Sequence, residues 1–322
     1  MKMSHAGSNR ESQALVHREA VNWDYRHDGR VEGIPVECFK SEGEGIDPSV
    51  LSVLFLSGYG ENDWAITKVI RRFGELGLGA VGVKLPFDLL PADRLAIEAA
   101  CIEVPHVAGD HYKEKLGLSV ETPLTAIGKS QGGGVLARSL QERHEGLGSL
   151  GFIGPACMNL ERSCSMNEKQ RRWQFYRRFG LNALLQSPAD PVNLISVATI
   201  GRQLVYDTFT RRFVPKVGLA LMTSLNQAVL DHLERGNQVV YVVGAKDRVF
   251  RNADVKAAFR SYEPDEQRWP QIVEIPGTSH VASASRKGIA ELGITLKHLG
   301  LIEPAEVPEG TREISPSEET AD

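Results

Sequence analysis

Three residues of the 322-residue chain can be combined into nucleophilic chemistry. They are Ser130 in "TAIGKSQGGGV" (125–135), Asp247 closing "VVYVVGAKD" and His280 closing "VEIPGTSH". A serine hydroxyl is a weak nucleophile until a base takes its proton. An imidazole does this best when a carboxylate fixes its tautomer and steadies the imidazolium. Gly128 and Gly132 flank Ser130 in a G-x-S-x-G arrangement, in which small residues let a strand and a helix approach closely around a sharp turn. Taken singly, Ser130 could be a turn serine, Asp247 a helix cap and His280 a surface residue. Their order along the chain, each at the predicted C-terminal end of a strand, puts all three on the sheet edge where α/β sites lie.

Two competing motifs fail on context. "GKS" resembles the end of a phosphate loop, but G-x-x-x-x-G-K-[ST] needs a glycine five positions before Gly128. Pro123 stands there, with no N–H to offer a phosphate, and residues 124–127 read as strand rather than loop. Gly77, Gly79 and Gly82 match G-x-G-x-x-G, but they end a predicted helix and enter a strand, the reverse of the dinucleotide-binding order. Other candidate partners are weaker. Ser57 and Ser279 lie near the same edge without an elbow, His106 and His111 precede the serine, and Asp254 falls inside a predicted helix.

A tetrahedral oxyanion needs donors aimed where charge develops. The backbone N–H of Gln131, directly after the serine, is one candidate. The loop "SGYGEN" (57–62) supplies the other, with the Tyr59 N–H favoured over that of Gly60.

The elements that must hold these residues alternate. "VNWDYRHDG" and "IPVECFKS" read as an antiparallel strand pair, followed by buried strands at "SVLFLSGYG", "AVGVKLPF", "PLTAIGKS" and "GSLGFIGPA". Helical spacing appears in "WAITKVIRRFGELG", with Gly77 as its C-cap, near "PADRLAIEAACIE", and in "QGGGVLARSLQERH". Residues 157–235 hold helical segments and no clear strand; the strand-to-turn pattern resumes at "NQVVYVVGAKD" and "QIVEIPGTSH" and closes with the amphipathic helix "SRKGIAELGITLKHLG". This alternation predicts a mostly parallel sheet covered on both faces. The expected division is a loosely ordered stretch 1–20, a core of 21–156 and 236–302, a helical insertion 157–235 and a disordered acidic tail 303–322.

The formal net charge of −4 gives no sign of a nucleic-acid binder. Residues 157–216 nevertheless carry ten Lys/Arg against four acids, which reads either as solvated helix faces or as a surface for anionic substrates. Cys38, Cys101, Cys157 and Cys164 show neither disulfide nor zinc spacing. No apolar run reaches membrane-spanning length, and the polar N-terminus is not a secretory signal, so a cytoplasmic location is expected.

"LFLSGYGEN", "AIGKSQGG", "VVGAKDRVF" and "IPGTSH" together resemble the α/β-hydrolase superfamily over roughly residues 50–156 and 236–300. The resemblance implies Ser130 as nucleophile, His280 as general base and then acid, Asp247 as the orienting carboxylate, and residues 157–235 as a helical cap. Ser57-Gly58 stands where many members carry His-Gly, which leaves the subfamily open. The implied activity is metal- and cofactor-free cleavage of an ester, thioester or related acyl bond in a small-molecule substrate. Acyl transfer and a non-catalytic binding role on the same fold are the alternatives.

Overall fold

The computed structural model describes residues 15–27, 30–42, 53–58, 61–90, 94–155, 202, 227–247, 250–280, 285–303 and 312–313. Nine strands form one sheet in the order β1-β2-β4-β3-β5-β6-β7-β8-β9. β1 (Leu15–His27) and β2 (Arg30–Glu42) are antiparallel along their full lengths, and β2 continues antiparallel onto β4 (Ala80–Lys84). From β4 through β3 (Val53–Leu56), β5 (Leu124–Lys129), β6 (Leu147–Ile153), β7 (Val239–Gly244) and β8 (Gln271–Ile275) every pairing is parallel. A short antiparallel β9 (Arg312–Glu313) closes the far edge.

The central strands are apolar on both sides, as a doubly covered parallel sheet requires. In β7, Val239, Tyr241 and Val243 belong to one buried cluster while Val240 and Val242 belong to the other. The first cluster packs under α2 (Arg94–Lys115), α3 (Gln131–Glu142), α4 (Gln227–Glu234) and α5 (Asn252–Tyr262). The second packs under α1 (Asp63–Glu75) and α6 (Arg286–His298), through residues such as Ile66, Ile70, Phe73, Leu292 and Leu296.

α1 ends in a Schellman motif. Gly77 sits at φ 72°, its N–H donates to Gly74 O, and the Leu78 N–H donates to Phe73 O. The predicted stop at Gly77 is thus a residue beyond the cap, where only the left-handed backbone is needed.

Several boundaries differ from the sequence reading. β1 begins at Leu15, inside the stretch expected to be loosely ordered, because its pairing with β2 runs on to Glu42. α2 continues through Pro105 to Lys115, carried by Ala96, Ile97, Ala100, Val104, Ala108 and Tyr112, all buried at helical spacing. α4 lies in the stretch assigned to the insertion, yet Ala228, Val229 and Leu230 join the core cluster beside α3. β9 falls within the tail expected to be disordered. Apart from Arg202 and residues 227–235, the expected cap lies outside the described residues. Among the described residues, no helix is long and apolar enough to cross a membrane.

Two contacts set testable limits on this fold. A Cβ on Gly132 would stand 2.1 Å from the carbonyl oxygen of Leu56, backbone against backbone. Gly132→Ala is therefore expected to prevent the folded state from accumulating, as read by circular dichroism and soluble yield. On α4, His232 is fully buried, with Nε2 2.7 Å from the Gly148 carbonyl and its ring stacked on His144. His106 meets Ser139 Oγ at 2.7 Å. Burial holds all three imidazoles below the ordinary value of 6.5. As pH falls through the unfolded value the unfolded chain binds more protons, so stability is lost on acidification. Calorimetry should show Tm falling between about pH 7.5 and 5.5, with a shallower slope in His232→Gln.

Candidate active site

The site lies where the parallel strands end. Register fixes those ends together: Leu56 pairs with Gly128, Lys129 with Ile153, Ile153 with Val242 and Gly244 with Ile275. The loops that leave β5, β6, β7 and β8 are consequently neighbours before any side chain is considered.

Ser130 occupies the single residue between β5 and α3. Its backbone is at φ 51°, ψ −115°, and it is the only non-glycine with positive φ among the described residues. Such a conformation costs on the order of 1–3 kcal/mol and persists only when its surroundings over-determine it. Here they do. A Cβ on Gly128 would be 2.6 Å from Gly132 O, and one on Gly133 would be 2.8 Å from Pro155 Cβ. The Ser130 N–H donates to Ile153 O at 2.9 Å, while Ser130 O accepts from the Gly133 N–H. A serine at this position of a helix ordinarily caps it, but the Ser130 side chain makes no capping bond.

Instead, Ser130 Oγ lies 3.0 Å from His280 Nε2, and His280 Nδ1 lies 2.8 Å from Asp247 Oδ2. The carboxylate can only accept, so Nδ1 is the donor, which leaves Nε2 free to accept the serine proton. The Asp247 side chain is 2% exposed and that of His280 16%. Asp247 Oδ1 accepts the Phe250 N–H at 2.9 Å, and the Phe250 ring meets the imidazole edge-on at 5.3 Å. Backbone bonds tie the two loops. Ala245 N–H donates to Ile275 O and Lys246 N–H to Thr278 O. Gly154, at φ 46°, passes so close that a Cβ would lie 3.3 Å from His280 Nδ1 and 3.4 Å from Asp247 Oδ2.

Ser130, Asp247 and His280 are thus brought into one hydrogen-bonded chain. Gln131 opens α3, and its N–H belongs to the first turn, where no helical acceptor exists. Tyr59 and Gly60 lie outside the described residues. Their neighbour Gly58 stands beside the serine, a Cβ there being 3.5 Å from Ser130 Cβ, but its N–H already donates to Glu61 Oε2 at 2.9 Å. The alternative partners are elsewhere: His106 beside Ser139, His111 beside Glu19, and Asp254 paired with Arg251.

The sequence reading missed four contributors. Phe250 was signalled by its place three residues after Asp247, and Gly154 by a glycine at a strand end. Lys129, the residue before the serine, forms a buried ion pair with Glu291. The only signal for it was a lysine in an otherwise apolar strand.

No protein-family model matches the chain, and no curated protein matches it. Solved structures do. The 2-hydroxy-6-oxo-6-phenylhexa-2,4-dienoate hydrolase from Rhodococcus sp. strain RHA1 superimposes with a TM-score of 0.55, at 14% identity, over 89% of this chain and 100% of that one. A thermophilic esterase from Thermogutta terrifontis gives 0.54 at 16% identity, over 86% and 96%. A carboxylesterase structure from the ammonia-oxidizing thaumarchaeon Nitrososphaera gargenis gives 0.53 at 14% identity, over 83% and 96%. With sheet order, elbow and these likenesses in agreement, the chain has the α/β-hydrolase fold.

Proposed function

We propose that this protein is a serine hydrolase that cleaves an ester, thioester or related acyl bond through a covalent acyl-enzyme. The observation that carries the reading is the continuous chain from Asp247 through His280 to a serine on a strained turn. Two of the structural neighbours are named as esterases and the third as a hydrolase, which supports the same chemistry.

In the first half-reaction Ser130 Oγ attacks the acyl carbon as its proton passes to His280 Nε2. The carbonyl π bond opens, and the resulting oxyanion is held by the Gln131 N–H at the positive end of α3 and by the Tyr59 N–H. Gly58 cannot serve as the second donor while its N–H is held by Glu61. The imidazolium, steadied by Asp247, then protonates the leaving group as the bond to it breaks. In the second half-reaction water attacks the acyl-serine, His280 takes its proton, and the acid departs as Ser130 recovers its hydrogen.

A fluorophosphonate probe is expected to form one adduct, at Ser130, and Ser130→Ala to abolish both the adduct and ester cleavage. A folded wild-type protein that gives no adduct would refute the reading. Supplying a competing alcohol or amine and measuring product partition separates hydrolysis from acyl transfer. Asp247→Asn keeps the shape but favours the wrong imidazole tautomer. Its kcat should fall by about 10⁴-fold while KM stays near wild type.

A further inference from the structure

The chemistry above leaves Lys129 and Glu291 without a role, although both are ionisable and lie inside the protein. Their side chains are 4% and 5% exposed, and Lys129 Nζ pairs directly with Glu291 Oε2. Along β5, Leu124 and Ala126 belong to the cluster under α2 and α3, and Ile127 to the cluster under α1 and α6. Strand alternation sends Lys129 to the same face as Ile127, toward α6. A buried ion pair is a poor source of stability there, because desolvating two charges commonly cancels their attraction, and an apolar pair of similar volume serves as well or better.

What an ion pair supplies and an apolar contact lacks is direction. One end of this one is the residue immediately before Ser130. The other is on α6, the helix that receives the loop carrying His280 and is capped by Ser285. Burial drives the Glu291 carboxyl upward, Lys129 pulls it back, and Glu291 lies within electrostatic reach of His280 and Asp247.

We propose that Lys129 and Glu291 are a positioning pair that holds β5 and α6 in register, and thereby sets the separation between Ser130 Oγ and His280 Nε2. The inference rests on Ser130 being the nucleophile. The separation is 3.0 Å, and a displacement of about 1 Å in a reacting geometry can cost about 10²-fold in rate.

The test compares wild type, Glu291→Gln and the double variant Lys129→Met/Glu291→Leu, with Ser130→Ala as the blank. Tm, kcat and KM on one short-chain aryl ester, and the rate of labelling by a small fluorophosphonate, are measured for each. The double variant should keep or raise Tm, yet show kcat and labelling rate reduced at least about tenfold with KM within about twofold. Glu291→Gln should lose the same activity and also lower Tm. A double variant with wild-type kcat and labelling rate would overturn the proposal and leave the pair purely structural. Should these variants not fold, Glu291→Asp, which keeps both charges but shortens the reach, decides instead. A lowered kcat at constant KM supports positioning, and unchanged kcat with lowered Tm refutes it. A wild-type protein that does not label at Ser130 removes the nucleophile itself, a failure distinct from that of the pair.

Discussion

Everything at the sheet's C-terminal edge depends on how closely α3 can approach β3. The helix starts one residue after β5 ends, so its first turn must pass over the neighbouring strand, and Gly132 faces the Leu56 carbonyl with no space for a side chain. That approach forces the chain to reverse within Ser130 and holds its φ at 51°. The same reversal lifts Oγ out of capping geometry and toward His280. A strained backbone, an uncapped helix and an available hydroxyl are three aspects of one steric constraint.

The partners arrive by a different route. Asp247 and His280 stand on loops after adjacent parallel strands, and those loops are stitched together by main-chain bonds from Ala245 and Lys246. Backbone pairing, insensitive to side-chain identity, therefore brings Asp247 and His280 within range. Side chains then fix the final orientation: the Phe250 amide holds one carboxylate oxygen, and the other is left for the imidazole.

Much of this was legible in the residues because each parallel strand announces itself as a short apolar run ended by a turn. The order of strands and helices, the turn at Ser130 and the edge shared with Asp247 and His280 all follow from such runs. What escaped were features whose cause is tertiary. The helical spacing near "PADRLAIEAACIE" covers only the start of α2, whose buried stripe carries the helix through Pro105 to Lys115. Leu15 to Ala20 are strand because β2 is long enough to pair with them. Ala228 to Leu230 look like part of an insertion until α3 is beside them. Lys129 gave no hint of a partner, since Glu291 lies 162 residues away. Tyr59, proposed as the second oxyanion donor, lies outside the described residues, and that role rests on the sequence.

The bond between Ser130 and His280 joins positions 150 apart in the chain. During vectorial synthesis β5 and the elbow leave the ribosome well before β8 and α6 exist, and domains form as units once enough chain is available. The serine is therefore made early but meets His280 only after β8 has been synthesised. On the chemistry proposed above, a nascent chain carries no premature reactivity, and a reactive Ser130 would report the docking of the His280 loop rather than the formation of the elbow.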